Sequence, residues 1–148
     1  MKRFFCALLA LMIVFSVVPA VSAAESEQAV VYFSDGSYIV SEVVSVNGRA
    51  SGSVSGSKPY TYYSADGRSL WKATLSGTFR YTGSSAVCTS ASISTTVYDS
   101  SWRTISKSSE KEGSAAVGTV KMGGNIAGVA TTVPVSLRLT CDANGNLS

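Results

Sequence analysis

The chain has 148 residues, 12 of them Lys or Arg, 9 Asp or Glu, and none histidine. Without histidine there is no Ser-His or Cys-His nucleophile pair, no ordinary general base near neutral pH and no imidazole ligand for zinc. Charged residues make up 14% of the chain, against about 25% in an ordinary globular protein; Ser and Thr take their place, as suits an extracellular β protein in which Thr favours strands and Ser favours turns.

The first 23 residues read as an export signal. Met1-Lys2-Arg3 is basic, Phe4 to Val18 is apolar apart from Cys6 and Ser16, and Pro19 breaks the run before Ala20-Val21-Ser22-Ala23. Basic start, apolar stretch and small residues together form a secretory signal, with cleavage expected after Ala23 and Ala24 as the alternative. The run is shorter than the ~20 apolar residues of a membrane span, and Cys6 lacks the small residues that precede a lipoprotein cysteine. The expected mature chain is secreted. Cleavage after Ala23 leaves 125 of the 148 residues and lowers the basic count from 12 to 10 against 9 acids. A chain so close to neutral has no electrostatic footprint for nucleic acid or an acidic membrane, and no second apolar run predicts membrane insertion.

Next come Ala29 to Phe33 and Tyr38 to Val46, flanking Ser34-Asp35-Gly36-Ser37. Asp-Gly between apolar runs predicts a hairpin with a type I′ turn. Asn47 to Ser57 is rich in Gly and Ser without periodicity and reads as a flexible linker. Residues 24–57 are therefore expected as an N-terminal hairpin and linker, and 58–148 as the main domain. Tyr60 to Tyr63 precedes an Asp66-Gly67 turn. From Trp71 to Tyr81 the alternation is strict, with Trp71, Ala73, Leu75, Gly77, Phe79 and Tyr81 on one face, the signature of a half-buried strand. A two-residue turn there pairs Tyr62 with Trp71 and Tyr63 with Leu70.

After Thr82-Gly83-Ser84-Ser85, a strand from Ala86 to Tyr98 changes phase, predicting a bulge near Thr89–Ser90. A corner at Asp99-Ser100-Ser101 leads to Trp102 and a short strand through Ser106. Lys107 to Gly113 reads as a charged turn, and Ser114 to Met122 as a strand whose inward face the pattern does not set. In the last strand Val129, Val133, Val135, Leu137, Leu139 and Cys141 share one parity. Pro134 falls on the other, which predicts an edge or bulged strand. Asp142 to Ser148 reads as a solvated polar tail.

About eight strands with frequent turns predict an all-β, Ig-like two-sheet sandwich. Cys88, Trp102 and Cys141 are spaced suggestively for an immunoglobulin domain, but Leu139 stands where a tyrosine corner needs Tyr and too few residues follow Cys141 for a final strand. The topology is therefore expected to be non-standard. Cys88 and Cys141, the two cysteines left after processing, are expected to pair as a structural disulfide. Its loop of about 53 residues corresponds to roughly 4 kcal/mol on the chain-entropy estimate.

No catalytic residues, cofactor site or metal site is expected. Ser-x-x-Lys occurs at Ser55/Lys58, Ser69/Lys72 and Ser108/Lys111, but positions i and i+3 of a strand point to opposite faces. Glu110 and Glu112 sit in one charged segment and project outward together, unlike glycosidase carboxylates, which face each other across a substrate. Asp142-Ala-Asn144-Gly145-Asn146 lacks the glycine position and final glutamate of a calcium loop. Tyr60, Tyr62, Tyr63, Trp71, Phe79 and Tyr81 crowd one hairpin mainly as core, with Tyr38 and Tyr63 the candidates for exposure.

Tyr60 to Trp71 (YTYYSADGRSLW), Gly77 to Ser90 (GTFRYTGSSAVCTS), the Tyr98-Asp99-Ser100-Ser101-Trp102 corner and Leu137 to Cys141 (LRLTC) resemble a group of small secreted proteins, mainly of Gram-positive gut bacteria, that have no assigned function. The resemblance covers most of the mature chain. It implies an exported location and a paired disulfide; it implies no activity and carries over no functional residue. The expected function is a non-catalytic binding or interaction module at the cell envelope, with a cell-wall polysaccharide or another extracellular protein as partner. The runner-up is an envelope hydrolase that uses carboxylates brought together by the fold, such as Asp66 or Asp99 with a glutamate. A third reading is a structural or antigenic surface protein without a specific ligand.

Overall fold

The computed structural model describes residues 28–50 and 52–148, with the backbone alone at 46–50. The expected export signal and the cleavage positions expected at Ala23 or Ala24 lie outside the described residues. Among the described residues nine strands follow in order: β1 (Ala29–Tyr32), β2 (Tyr38–Ser41), β3 (Val44–Ala50), β4 (Ser53–Tyr63), β5 (Ser69–Tyr81), β6 (Ala86–Val97), β7 (Arg103–Glu112), β8 (Ala115–Ile126) and β9 (Val129–Thr140). They form two sheets. One has the order β1-β2-β4-β5-β6 with β3 also on β4, and the other is β7-β8-β9. The all-β expectation holds, with nine strands rather than about eight.

The expected linker is sheet. β4 begins at Ser53 and runs the full length of β5, with Val54 opposite Phe79 and Gly56 opposite Gly77. β3 and β2 share its other edge, β3 along the first half and β2 along Ser41↔Tyr60 to Tyr38↔Tyr63. The single strand expected from Tyr38 to Val46 is broken at Glu42–Val43 into these two. Apart from Val54, residues 52–57 are Gly and Ser; they carry no hydrophobic periodicity, yet they permit close strand approach, and Val54 and Gly56 are buried.

The strict alternation of β5 is the centre of the core. Trp71, Ala73, Leu75 and Phe79 are fully buried and pack against Ala116, Val120 and Met122 of β8 and Leu137 and Leu139 of β9. Burying a large apolar side chain of this kind contributes roughly 1.5–3 kcal/mol. Inward parity on β8 is thus Ala116, Val120 and Met122, and on β9 it is Val133 through Leu139 as expected, while Val129 is exposed. β9 is a sheet edge, so Pro134 breaks no ladder in the sheet interior. The bulge in β6 lies where the phase change placed it: Thr78 pairs with Ser90 and Phe79 with Cys88, leaving Thr89 without a partner.

Three further features differ from expectation. Lys107 to Glu112 belongs to β7, which pairs with β8 as far as Glu112↔Ala115; alternating Ser, Lys and Glu on an exposed edge looks like a turn but needs no apolar face. The Asp-Gly turns have φ of +83° only at Gly36 and Gly67, with bonds Gly36 N–H to Phe33 O and Phe33 N–H to Ser37 O, and Gly67 N–H to Ser64 O and Ser64 N–H to Arg68 O. That is a type I turn closed by a glycine bulge, not a type I′ turn. It moves Tyr63 onto Ser69 while Tyr62 stays opposite Trp71. Lastly, Asp142–Ser148 is folded: Thr140 and Ser148 exchange backbone hydrogen bonds, Gly83 N–H donates to Ala143 O, and Leu147 packs on the core.

Candidate functional site

Four connections converge at one end of the molecule: Phe33–Ser37, Ser64–Arg68, the Tyr98–Trp102 corner and the β8–β9 turn. Between them lies a cleft of about 200 Å³. Polar groups reach it from each connection, Asp35 and Ser37 from the first, Arg68 from the second, Asp99 and Ser101 from the third, and Asn125 from the end of β8. Leu70, Tyr62 and Trp102 also border it.

The cleft's floor is built by aromatic packing. Tyr62 stacks on Trp71 with centroids 5.1 Å apart, and Trp102 leans on both at 5.3 and 6.2 Å. Trp102 can sit there because Gly124 has no side chain; a Cβ at 124 would come within 2.5 Å of its ring carbons. The Leu70 carbonyl, freed by the irregularity in β5, accepts from Tyr98 and Asp99 N–H and ties the corner down.

Each carboxylate is fixed from its own turn. Asp35 Oδ1 accepts from Ser37 Oγ at 2.5 Å and Ser37 N–H at 3.0 Å, and the Tyr62 hydroxyl donates to Ser37 Oγ at 2.8 Å. Asp99 Oδ1 accepts from Ser101 Oγ at 2.6 Å and Ser101 N–H at 2.9 Å. The hydroxyl and then the amide of Ser37 hold Asp35 below the usual carboxylate range; those of Ser101, with help from Arg68, do the same for Asp99. Burial pushes the Tyr62 hydroxyl up, so it stays protonated. Arg68 pairs with Asp66 at 3.1 Å and approaches Asp99 at 3.8 Å. These carboxylates are ionised hydrogen-bond acceptors. A general acid needs the opposite perturbation, a raised pKa.

Asp66 and Asp99 are thus brought together through Arg68, but neither meets a glutamate: none lines the cleft, and Glu110 and Glu112 lie exposed on β7, where Glu112 pairs with Arg138 at 2.7 Å. All three Ser-x-x-Lys pairs lie within strands β4, β5 and β7. The Asp142 carboxylate is occupied by Asn144 N–H, Asn146 N–H and the Asn146 amide, which closes the tail's own turn. Among the described residues no group of three or more acidic or cysteine ligands is placed to hold a metal, and no helix is long and apolar enough to cross a membrane.

Tyr32, Tyr38 and Tyr63 form a ladder over β1, β2 and β4. The Tyr38 and Tyr63 rings stack at 5.0 Å and 12°, and Tyr32 meets Tyr38 at 5.5 Å. Rings stacked on one another spend their faces on each other, so this is cross-strand stabilisation. Tyr32 is the most exposed of the three, at 72%.

Cys88 and Cys141 are both buried, and no bond joins them in this structure. Each sulfur faces a backbone carbonyl, Cys88 that of Ser90 at 3.2 Å and Cys141 that of Asp142 at 3.4 Å. Burial pushes both thiols up, with Asp142 and then Cys88 adding to the effect at Cys141.

Asp35, Arg68 and Asn125 were not singled out as site residues by sequence. The signal available was the recurrence of Asp followed two places on by Ser or Arg: Asp35/Ser37, Asp66/Arg68 and Asp99/Ser101. Comparison with family models, curated proteins and solved structures finds no match to this chain.

Proposed function

We propose that this protein is a secreted, non-catalytic binding module acting at the cell envelope, and that it takes its ligand in the cleft between the four converging turns. The observation that carries this reading is the cleft itself: carboxylates held ionised by their own turns, beside Arg68 and Asn125, over an aromatic floor. Such groups orient a ligand, and neither Asp35 nor Asp99 has the raised pKa that a general acid needs. The export signal, the resemblance to exported Gram-positive proteins and the hydroxyl-rich surface support the location.

The fold we propose for the exported form is an Ig-like sandwich of non-standard topology, closed by a Cys88–Cys141 disulfide. Support for the bond comes from the turn between β7 and β8. Cys88 N–H donates to Gly113 O at 2.8 Å and Cys141 N–H to the neighbouring Ser114 O at 3.0 Å. The two cysteines therefore flank one turn, and an oxidising compartment suits their pairing. Alkylation of the unreduced, unfolded protein tests this: protected cysteines support the bond, and two alkylated thiols overturn it.

The function is tested by a pull-down with isolated cell walls and insoluble polysaccharides, oxidised and reduced protein side by side. Saturable retention without release of soluble fragments supports the module. Release of fragments that Asp35→Asn or Asp99→Asn abolishes would overturn it in favour of a hydrolase.

A further inference from the structure

We infer that the cleft binds a neutral polyhydroxylated ligand, a single saccharide ring such as the exposed end of a glycan. This rests on the binding reading above and names the class of ligand. The argument begins with the polar atoms left over once the internal bonds are made. Asp35 Oδ1 and Asp99 Oδ1 are occupied by Ser37 and Ser101, which leaves Asp35 Oδ2 as a free acceptor and Asp99 Oδ2 as an acceptor that faces Arg68 Nη1 beyond hydrogen-bond distance, at 3.8 Å. Arg68 uses Nε on Asp66 and turns Nη1 towards Asp99, which leaves Nη2 as a donor. The Asn125 amide brings both a donor and an acceptor.

Each simple ion fails to use this set. An anion meets two carboxylates. A cation satisfies the carboxylates but is opposed by Arg68 and leaves the Asn125 N–H groups unpaired. A hydroxyl both donates and accepts, so adjacent hydroxyls on one ring can bridge a carboxylate oxygen and a neighbouring N–H donor. The remaining wall is apolar, formed by Leu70, Ile126 and Ala127, and suits the C–H face of a ring. The cleft's volume of about 200 Å³ falls below the roughly 300–1,000 Å³ of drug-sized sites, so it holds one ring. A ligand of that size binds weakly, with a dissociation constant of about a millimolar.

Ala127 adds a second observation. It is the only non-glycine residue with positive φ among those described, at +50°, and it lines the cleft. The turn thus keeps a strained methyl-bearing residue where glycine or asparagine would relax the backbone.

The test is an NMR titration of the purified protein, read at the Asn125 side-chain amide and the Trp102 indole N–H. The probes are methyl glycosides of neutral hexoses and N-acetylhexosamines, with inorganic sulfate, putrescine and glycerol as counter-probes. The inference expects at least one glycoside to shift both signals saturably, and Asn125→Leu and Asp35→Leu each to weaken it at least tenfold. The Asn125 and Asp35 variants should keep the wild-type amide spectrum away from the cleft. Saturation by putrescine or sulfate alone overturns the saccharide assignment and leaves the binding module standing; so does glycerol acting as strongly as the glycosides. Silence from every probe, with wall retention intact, overturns the assignment in favour of a protein ligand. Loss of wall retention overturns the binding reading itself.

Discussion

Replacing Gly124 by alanine perturbs the floor of the cleft at one atom. The added Cβ would lie within 2.5 Å of Trp102 ring carbons, whereas non-bonded carbons settle at about 3.5–4.0 Å. The indole must therefore retreat by roughly an ångström. It is 4% exposed and braced by Tyr62 and Trp71, so the retreat is transmitted to the central aromatic stack. Overpacking of this kind destabilises by about 1–3 kcal/mol, and the bracing on two sides places Gly124→Ala near 3 kcal/mol. For a chain of this size that lowers the melting temperature by about 10 °C. Urea unfolding followed by tryptophan fluorescence measures the change. Trp102→Phe in the same background removes part of the obstructing ring, so the double variant should lose at least ~1 kcal/mol less than the sum of the single losses. A Gly124→Ala protein that melts within a degree of wild type, or strictly additive losses, would refute the seating of Trp102 on Gly124.

Leu147→Ala tests the folded tail: its side chain occupies the space above Gly56, and truncation of this half-buried leucine should lower stability by about 1–2 kcal/mol, measured by thermal melting. A truly solvated tail would show no change. Ala127→Gly relieves a left-handed alanine, worth roughly 1–2 kcal/mol, less the added chain entropy of glycine, so a net gain of about 0.5–1 kcal/mol is expected in the same assay. Asp35, Asp66, Asp99 and Asp142 are all held below the ordinary carboxylate value by hydrogen bonds from their own turns. Their contribution is fully present above the unfolded value of 3.8 and is lost as pH falls through it and below. The melting temperature should be level from pH 8 to 5, with no histidine to titrate, and fall below about pH 4. A transition centred between pH 5 and 7 would contradict this assignment.

The parts of the fold that were legible are those with period two. Trp71 to Phe79 and Val133 to Leu139 declare their buried faces because each lies against the opposite sheet. The Thr89 bulge was legible as a change of parity. Segments without large apolar residues were not: Ser53 to Ser57 reads as linker and Lys107 to Glu112 as turn, because a strand of Ser, Gly, Lys and Glu is held by its backbone ladder and by small size at the contact. The tail misled for a related reason, since its single apolar anchor, Leu147, lies among polar residues that close a turn. Of the site, the Trp102 corner was visible as a motif and Asp99 as a carboxylate in search of a partner. The convergence of Asp35, Arg68 and Asn125 was not, because it depends on which hairpin ends share one side of the molecule.

The most direct measurement is wall retention by an Asn125→Trp variant. Asn125 is exposed at the rim of the cleft and outside the core, so an indole there occupies the cleft without disturbing the packing beneath. Retention of wild type and loss of at least nine-tenths of it in the variant, with equal melting temperatures, is the result predicted here. Equal retention of both would contradict the cleft as the binding site.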